Sequence, residues 1–200
     1  MYLYLHGFNS GAGSAKAHWL REHLAPVPVL APSYAAHRAS EAAEWLESYV
    51  AQARAQREAG QRLVLVGSSL GGFWARYLAP RVGAGLVLVN PCLWPDEELL
   101  PAVGRNHNPA TGEDYLFTEQ DVRDFARLRP AVCEPRVATL LLVDEGDEVL
   151  DYRRATQFYR GCGVTLQFAG GSHRFEHLSE SLAAIRSLHD GAAPAFAASS

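Results

Sequence analysis

The stretch Leu63-Val64-Leu65-Val66-Gly67-Ser68-Ser69-Leu70-Gly71-Gly72, followed by Phe73-Trp74-Ala75-Arg76-Tyr77-Leu78-Ala79-Pro80, decides how this chain is read. Four consecutive apolar residues form a short strand suited to burial on both faces, and they stop at a Gly-x-Ser-x-Gly pentapeptide centred on Ser69. Residues 73–79 then continue as a helix before Pro80. The order strand, turn, helix is what gives the pentapeptide meaning. A serine at the apex of such a strained turn projects its hydroxyl outward. Gly67 and Gly71, two residues to either side, let strand and helix approach without side chains between them.

Outward from this turn, further apolar runs occur at 2–5, 27–30, 86–89, 139–143 and 164–168, which with 63–66 predict six strands. Because the runs are apolar throughout rather than alternating, the fold class is α/β: a mainly parallel sheet with helices on both faces. Ser14 predicts the N-cap of a helix ending near Leu24, and Ser40 the start of a longer one. The last helix is expected over about 176–188. Residues 91–135 interrupt the pattern between the fourth and fifth strands. They hold Trp94, Tyr115, Phe117 and Phe125 but no strong strand, with turn chemistry at Asn106-His107-Asn108-Pro109-Ala110-Thr111-Gly112 and a helix capped by Thr118. So long an excursion suggests a lid or pocket wall. One domain over 1–190 with a flexible tail at 191–200 is the expected organisation.

Composition narrows the partners. The chain is 48% hydrophobic and 20% charged with a formal net charge of -4 and no Lys/Arg cluster, so no nucleic acid or anionic membrane surface is implied. No stretch has the length of a membrane span or a signal segment, and a cytoplasmic location follows by default. Cys92, Cys133 and Cys162 share no short spacing and read as small core residues in a reducing compartment. Small-molecule ligands remain, and the oligomeric state is not legible.

A serine hydroxyl is a weak nucleophile at neutral pH and needs an imidazole to take its proton and a carboxylate to orient that imidazole. After a Gly-x-Ser-x-Gly turn these groups follow in the order acid, then histidine, each after a later strand. Leu140-Leu141-Leu142-Val143 leads into Asp144-Glu145-Gly146-Asp147-Glu148, and Leu166-Gln167-Phe168 leads toward Gly170-Gly171-Ser172-His173. Asp147 is the candidate acid, with Asp144 its competitor, because the loop must carry the carboxylate away from the strand end and Gly146 lets the backbone turn. His173 is the candidate base, placed by two flexible glycines. For the oxyanion, the backbone N–H of Leu70 at a helix N-terminus and that of Phe8, in the loop His6-Gly7-Phe8 after the first strand, are the candidate donors. Trp94, Tyr115 and Phe117 are candidate substrate-binding residues.

These pieces together resemble the α/β-hydrolases, and more narrowly the small bacterial YqiA-type esterases. The likeness rests on Tyr4-Leu5-His6-Gly7-Phe8-Asn9-Ser10 with Ser14-Ala15-Lys16-Ala17, on 66–72, on Val89-Asn90-Pro91, on 108–112, on 146–153 and on Gly170-Gly171-Ser172-His173. The resemblance implies a six-stranded sheet in the order 2-1-3-4-5-6. It also implies a serine esterase acting on acyl esters or thioesters with Ser69, Asp147 and His173 at the triad positions. No cofactor is required. Two other chemistries are spelled in the chain: His173-Arg174-Phe175-Glu176-His177 matches H-x-x-E-H, a zinc pattern if both histidines share a helical face, and 67–72 could cradle phosphate. A non-catalytic, ligand-binding member of the fold is the third alternative.

Overall fold

In a computed structural model, which describes residues 1–56 and 60–191, the chain runs β1 (Tyr2–Leu5), α1 (Ala15–His23), β2 (Val29–Leu30), α2 (Ala39–Ala55), β3 (Val64–Ser68), α3 (Leu70–Val82) and β4 (Gly85–Val89). An excursion follows, made of α4 (Pro95–Glu98), a 3-10 turn (Leu100–Ala102), β5 (Gly104–Asn108), β6 (Glu113–Phe117) and α5 (Glu119–Leu128). The chain then returns through β7 (Thr139–Asp144), α6 (Tyr152–Phe158), β8 (Val164–Phe168) and α7 (Leu178–Asp190). Nearly all of the expected tail, from 192 onward, lies outside the described residues.

Six strands pair in the order β2-β1-β3-β4-β7-β8, every pairing parallel. With the β5-β6 hairpin set aside, this is the expected 2-1-3-4-5-6. Alternation along each buried strand supplies both faces. Leu3, Leu5, Leu65, Leu88 and Val143 join Phe73, Trp74 and Leu46 in one core layer, while Tyr2, Tyr4, Val66, Val87 and Leu142 meet Ala17, Leu20 and Ile185 in the other. Each such leucine or valine is essentially inaccessible and contributes roughly 1.5–3 kcal/mol by leaving water. No described helix is long and apolar enough to cross a membrane.

Local expectations hold with adjustments. Ser14 caps α1 by accepting from the Ala17 N–H at 3.3 Å, and Thr118 and Asp121 form a reciprocal capping box on α5. Ser40 is not a cap: α2 starts at Ala39, after Arg38. α3 does not stop before Pro80 but carries it to Val82, where Gly83 closes the helix in the left-handed conformation (φ 64°).

Two readings need correction. The excursion holds a β-hairpin, β5 against β6, closed by Asn108-Pro109-Ala110-Thr111-Gly112, where the Asn108 carboxamide accepts from the Ala110 N–H at 2.9 Å. Its strands, Gly-Arg-Asn-His-Asn and Glu-Asp-Tyr-Leu-Phe, are too polar to read as buried strands because only one face of this ribbon packs on the body. Phe117 is buried and Leu116 is exposed. The cysteines also differ from expectation: Cys92 is free and buried, but Cys133 and Cys162 form a disulfide with a Cα–Cα separation of 6.2 Å. A separation of 29 residues carries no pairing signal; the contact arises only when the end of the excursion folds over the loop before β8. The cysteine-based ground for a reducing compartment falls with it.

Candidate active site

β3 delivers Ser69 at φ 53° and ψ −125°, backbone space that side-chain-bearing residues rarely occupy and that costs about 1–3 kcal/mol. Packing enforces it. A Cβ on Gly67 would collide with the Gly71 backbone, and one on Gly71 with the Leu5 carbonyl, so helix α3 lies directly against β1 and β3. The Ser69 backbone is held as well, its N–H donating to Val89 O at 3.1 Å and its carbonyl accepting from Gly72 and Cys92 at 2.8 and 3.0 Å. The result is a hydroxyl standing on a fixed pedestal at the carboxyl end of the sheet.

His173 reaches that hydroxyl from the loop after β8, with Nε2 3.1 Å from Ser69 Oγ. Its Nδ1 lies 2.9 and 3.0 Å from the two oxygens of Asp147, in the loop after β7. An ionised carboxylate can only accept, so the ring proton sits on Nδ1 and leaves Nε2 as acceptor toward the serine. The Asp147 side chain is almost fully enclosed, and its Oδ1 also accepts from the Val149 and Leu150 N–H groups at 2.9 Å each. Asp144, the competing acid, points elsewhere. Completely buried, it accepts from the Ser172 and Glu176 N–H groups at 3.3 and 2.8 Å and lies 2.7 Å from His177 Nδ1. Asp144 therefore shapes the loop that carries His173.

The glycines of these loops act differently from expectation. Gly146 provides no unusual turn; its missing side chain lets the acid loop press on the Gly170 and Gly171 carbonyls, and its N–H donates to Gly170 O at 2.7 Å. Gly170 and Gly171 are fixed at φ near 74° and 73° rather than left free.

Phe8 and Leu70, the candidate oxyanion donors, flank Ser69. Leu70 opens α3, so its N–H has no partner one turn back, and the Phe8 N–H meets no acceptor among the described residues. Gly7 lies close enough that a Cβ there would stand 3.1 Å from Ser69 Cβ. Beneath this loop His6 is buried, its Nδ1 2.9 Å from Gly7 O, and burial lowers its pKa.

The expected substrate-binding aromatics do not line the cleft that holds Ser69. Phe117 is wholly buried behind Phe8, ring centroids 5.2 Å apart, and Trp94 packs beneath the Arg154 guanidinium and beside Phe158. Tyr115 stacks on His37 and donates its hydroxyl to Asn9 Oδ1 at 2.6 Å. Asn9 in turn donates to Asn106 at 3.2 Å, and Asn108 donates to Ser10 O at 3.2 Å. The hairpin thus grips the loop that carries Phe8. Tyr115→Phe removes one of these bonds, worth about 1 kcal/mol, and should lower kcat several-fold in a continuous ester assay while leaving KM nearly unchanged and lowering Tm by only about 2–4 °C.

Two participants had little or no signal in sequence. Asn90, buried at φ 40°, donates to Ser172 O at 2.9 Å and accepts from the Asp144 N–H at 2.9 Å, tying the ends of β4, β7 and the His173 loop together. Glu148 accepts from the His173 N–H at 2.9 Å, which holds its carboxyl below the usual range. Val89-Asn90-Pro91 entered the sequence reading only through the family likeness, and Glu148 only as one member of the acidic stretch 144–148. The H-x-x-E-H reading requires helix through 173–177, but α7 starts only at Leu178 and the two imidazoles engage different carboxylates.

The fold defines the class: this chain has the α/β-hydrolase fold. It is similar to Est1E from Butyrivibrio proteoclasticus with ferulic acid bound, at TM-score 0.71 and 16% identity over 90% of this chain and 85% of that one. It is also similar to a putative hydrolase from Agrobacterium vitis S4, at 0.73 and 18% over 94% and 87%, and to a monoacylglycerol lipase from Paleococcus ferrophilus, at 0.68 and 17% over 94% and 93%. Within that class the chain belongs to the Uncharacterised protein family (UPF0227), which it matches over residues 1–190. UPF0227 proteins of Yersinia pseudotuberculosis (strain YPIII) and Yersinia pestis bv. Antiqua (strain Antiqua) are each 25% identical to it over 188 residues, spanning 94% of this chain and 98% of theirs.

Proposed function

We propose that this protein is a serine esterase that hydrolyses acyl esters or acyl thioesters through an acyl-enzyme on Ser69. The observation that carries the reading is the unbroken contact from Ser69 Oγ to His173 Nε2 and from His173 Nδ1 to Asp147, standing on a strained turn. The similar Paleococcus ferrophilus protein, named as a monoacylglycerol lipase, lends it support.

In this mechanism His173 Nε2 takes the hydroxyl proton as Oγ attacks the acyl carbonyl carbon. Negative charge moves to the carbonyl oxygen, where the Phe8 and Leu70 N–H groups and the α3 N-terminus stabilise it. Collapse breaks the bond to the leaving oxygen or sulfur, which takes the proton from His173. Water then repeats the sequence: His173 accepts its proton, hydroxide adds to the acyl-serine, and Ser69 is released with the carboxylic acid. Asp147 keeps the ring in the required tautomer and balances the imidazolium charge. No cofactor enters.

A fluorophosphonate probe tests this directly. Peptide mass mapping should find the phosphonyl adduct on Ser69, with loss of ester hydrolysis in step with labelling. Hydrolysis that persists in fully labelled protein, or an adduct confined to another residue, would overturn the assignment.

A further inference from the structure

The cleft above Ser69, about 650 Å³, lies between the loop that follows β1 and the segment that leads into α7. Phe8, Trp19, Phe175 and Leu178 give it an apolar lining, and two cations, Lys16 and Arg174, complete the wall. No aspartate or glutamate is among its lining residues.

Several long cations elsewhere find carboxylates, Arg38 with Asp121, Arg129 with Asp96 and Arg154 with Glu97 among them. Lys16 and Arg174 have no carboxylate within ion-pairing distance among the described residues. Lys16 is also placed against its own interest. It sits in the first turn of α1, where the helix dipole disfavours a positive charge, and it is partly buried. Burial pushes its ammonium pKa down and the nearby Arg174 adds to that shift, with Asp144 the one carboxylate opposing them. Asp144 is already committed to Ser172, Glu176 and His177. A desolvated cation with a like-charged neighbour and no ion-pair partner is costly to the empty protein, and an anion entering the cleft removes that cost.

We propose that Lys16 and Arg174 form an anion subsite of the Ser69 cleft, so that the preferred ester or thioester carries a carboxylate or phosphate group away from its reactive carbonyl. The apolar lining fits the carbon skeleton between the two. This rests on Ser69 being the nucleophile, and the test keeps the two ideas separable.

The kinetic arm compares matched pairs: p-nitrophenyl hydrogen adipate with p-nitrophenyl hexanoate, and the hexanoyl thioesters of 3-mercaptopropionate and of 2-mercaptoethyl phosphate with that of propanethiol. The expected result is a kcat/KM ratio of anionic to neutral substrate of about tenfold or more in at least one pair, shrinking as salt is raised to about 0.5 M. The pair that shows it says whether the anion is a carboxylate or a phosphate and on which side of the carbonyl it sits. The Lys16→Gln, Arg174→Gln double variant should bring that ratio to within about twofold of one, and Lys16→Arg should preserve it. Ratios near one in the wild type, or a ratio the double variant leaves intact, would overturn the proposal. The binding arm titrates the fragment bearing the anion of the pair that shows the preference (ethyl hydrogen adipate, 3-mercaptopropionate or 2-mercaptoethyl phosphate) into Ser69→Ala protein with and without the two glutamine substitutions. About tenfold weaker binding without the cations is expected, and equal binding also overturns the subsite. Turnover undiminished by Ser69→Ala would defeat the nucleophile instead, with the binding arm still deciding the subsite.

Discussion

Asp147→Asn should lower kcat for a short activated ester by about 10⁴-fold, the loss seen when the corresponding aspartate of a serine protease is replaced. The physical reason is the tautomer. An asparagine can present its amide N–H to His173 Nδ1, which places the ring proton on Nε2 and removes the acceptor that Ser69 needs. The fold should tolerate the change, because the asparagine carbonyl can still accept from the Val149 and Leu150 N–H groups. Asp144→Asn should behave oppositely. Its carboxylate is buried among two N–H donors and an imidazole, so the amide leaves a donor facing donors and the main loss falls on stability, on the order of 1–3 kcal/mol. Stopped assays of both variants, with melting curves, separate the roles. A nearly active Asp147→Asn protein beside a folded but inert Asp144→Asn protein would transfer the acid to Asp144.

Gly71→Ala should be among the most damaging single-methyl changes available to this chain. The added carbon would overlap the Leu5 carbonyl and crowd His6 O at 2.8 Å, and both obstacles are backbone that cannot rotate away. Either α3 lifts from the sheet or β1 moves, and each opens the core layer of Phe73, Trp74 and Leu65. A cost of about 4 kcal/mol or more follows, above the usual range for overpacking, which for a domain of this size lowers Tm by about 10 °C or leaves no soluble protein. Gly13→Ala is the internal control: nothing lies within 4 Å of a Cβ there, and its melting temperature should shift by no more than about a degree or two. Equal melting of the two variants would mean that the helix does not rest on β1 as described.

The parts of this fold visible in sequence are those in which chemistry and neighbourhood coincide. The four central sheet strands are buried almost throughout, so the apolar run 63–66 announced itself, and the glycine at 67 marked the approach to the turn. Ser69, Asp147 and His173 were singled out by chain order, and the structure brings their side chains into contact. What stayed hidden depends on contacts that only folding creates. The hairpin strands are polar because one face meets water, so they carry neither the alternation nor the apolar run of a sheet strand. Asn90 stood out only within the family likeness, yet it bridges chain segments 82 residues apart. Tyr115 and Phe117 drew notice as large aromatics, but residue type alone could not say whether they would face the cleft or stand behind Phe8.

The backbone angles of Ser69 have an evolutionary corollary. That position sits where only glycine would be at ease, and a serine remains there against the interests of the folded state. A sturdier protein without the proposed nucleophile is therefore a single replacement away. Any screen that rewards heat tolerance without also demanding turnover will drift toward discarding the hydroxyl, because at this spot robustness and reactivity pull the sequence in opposite directions.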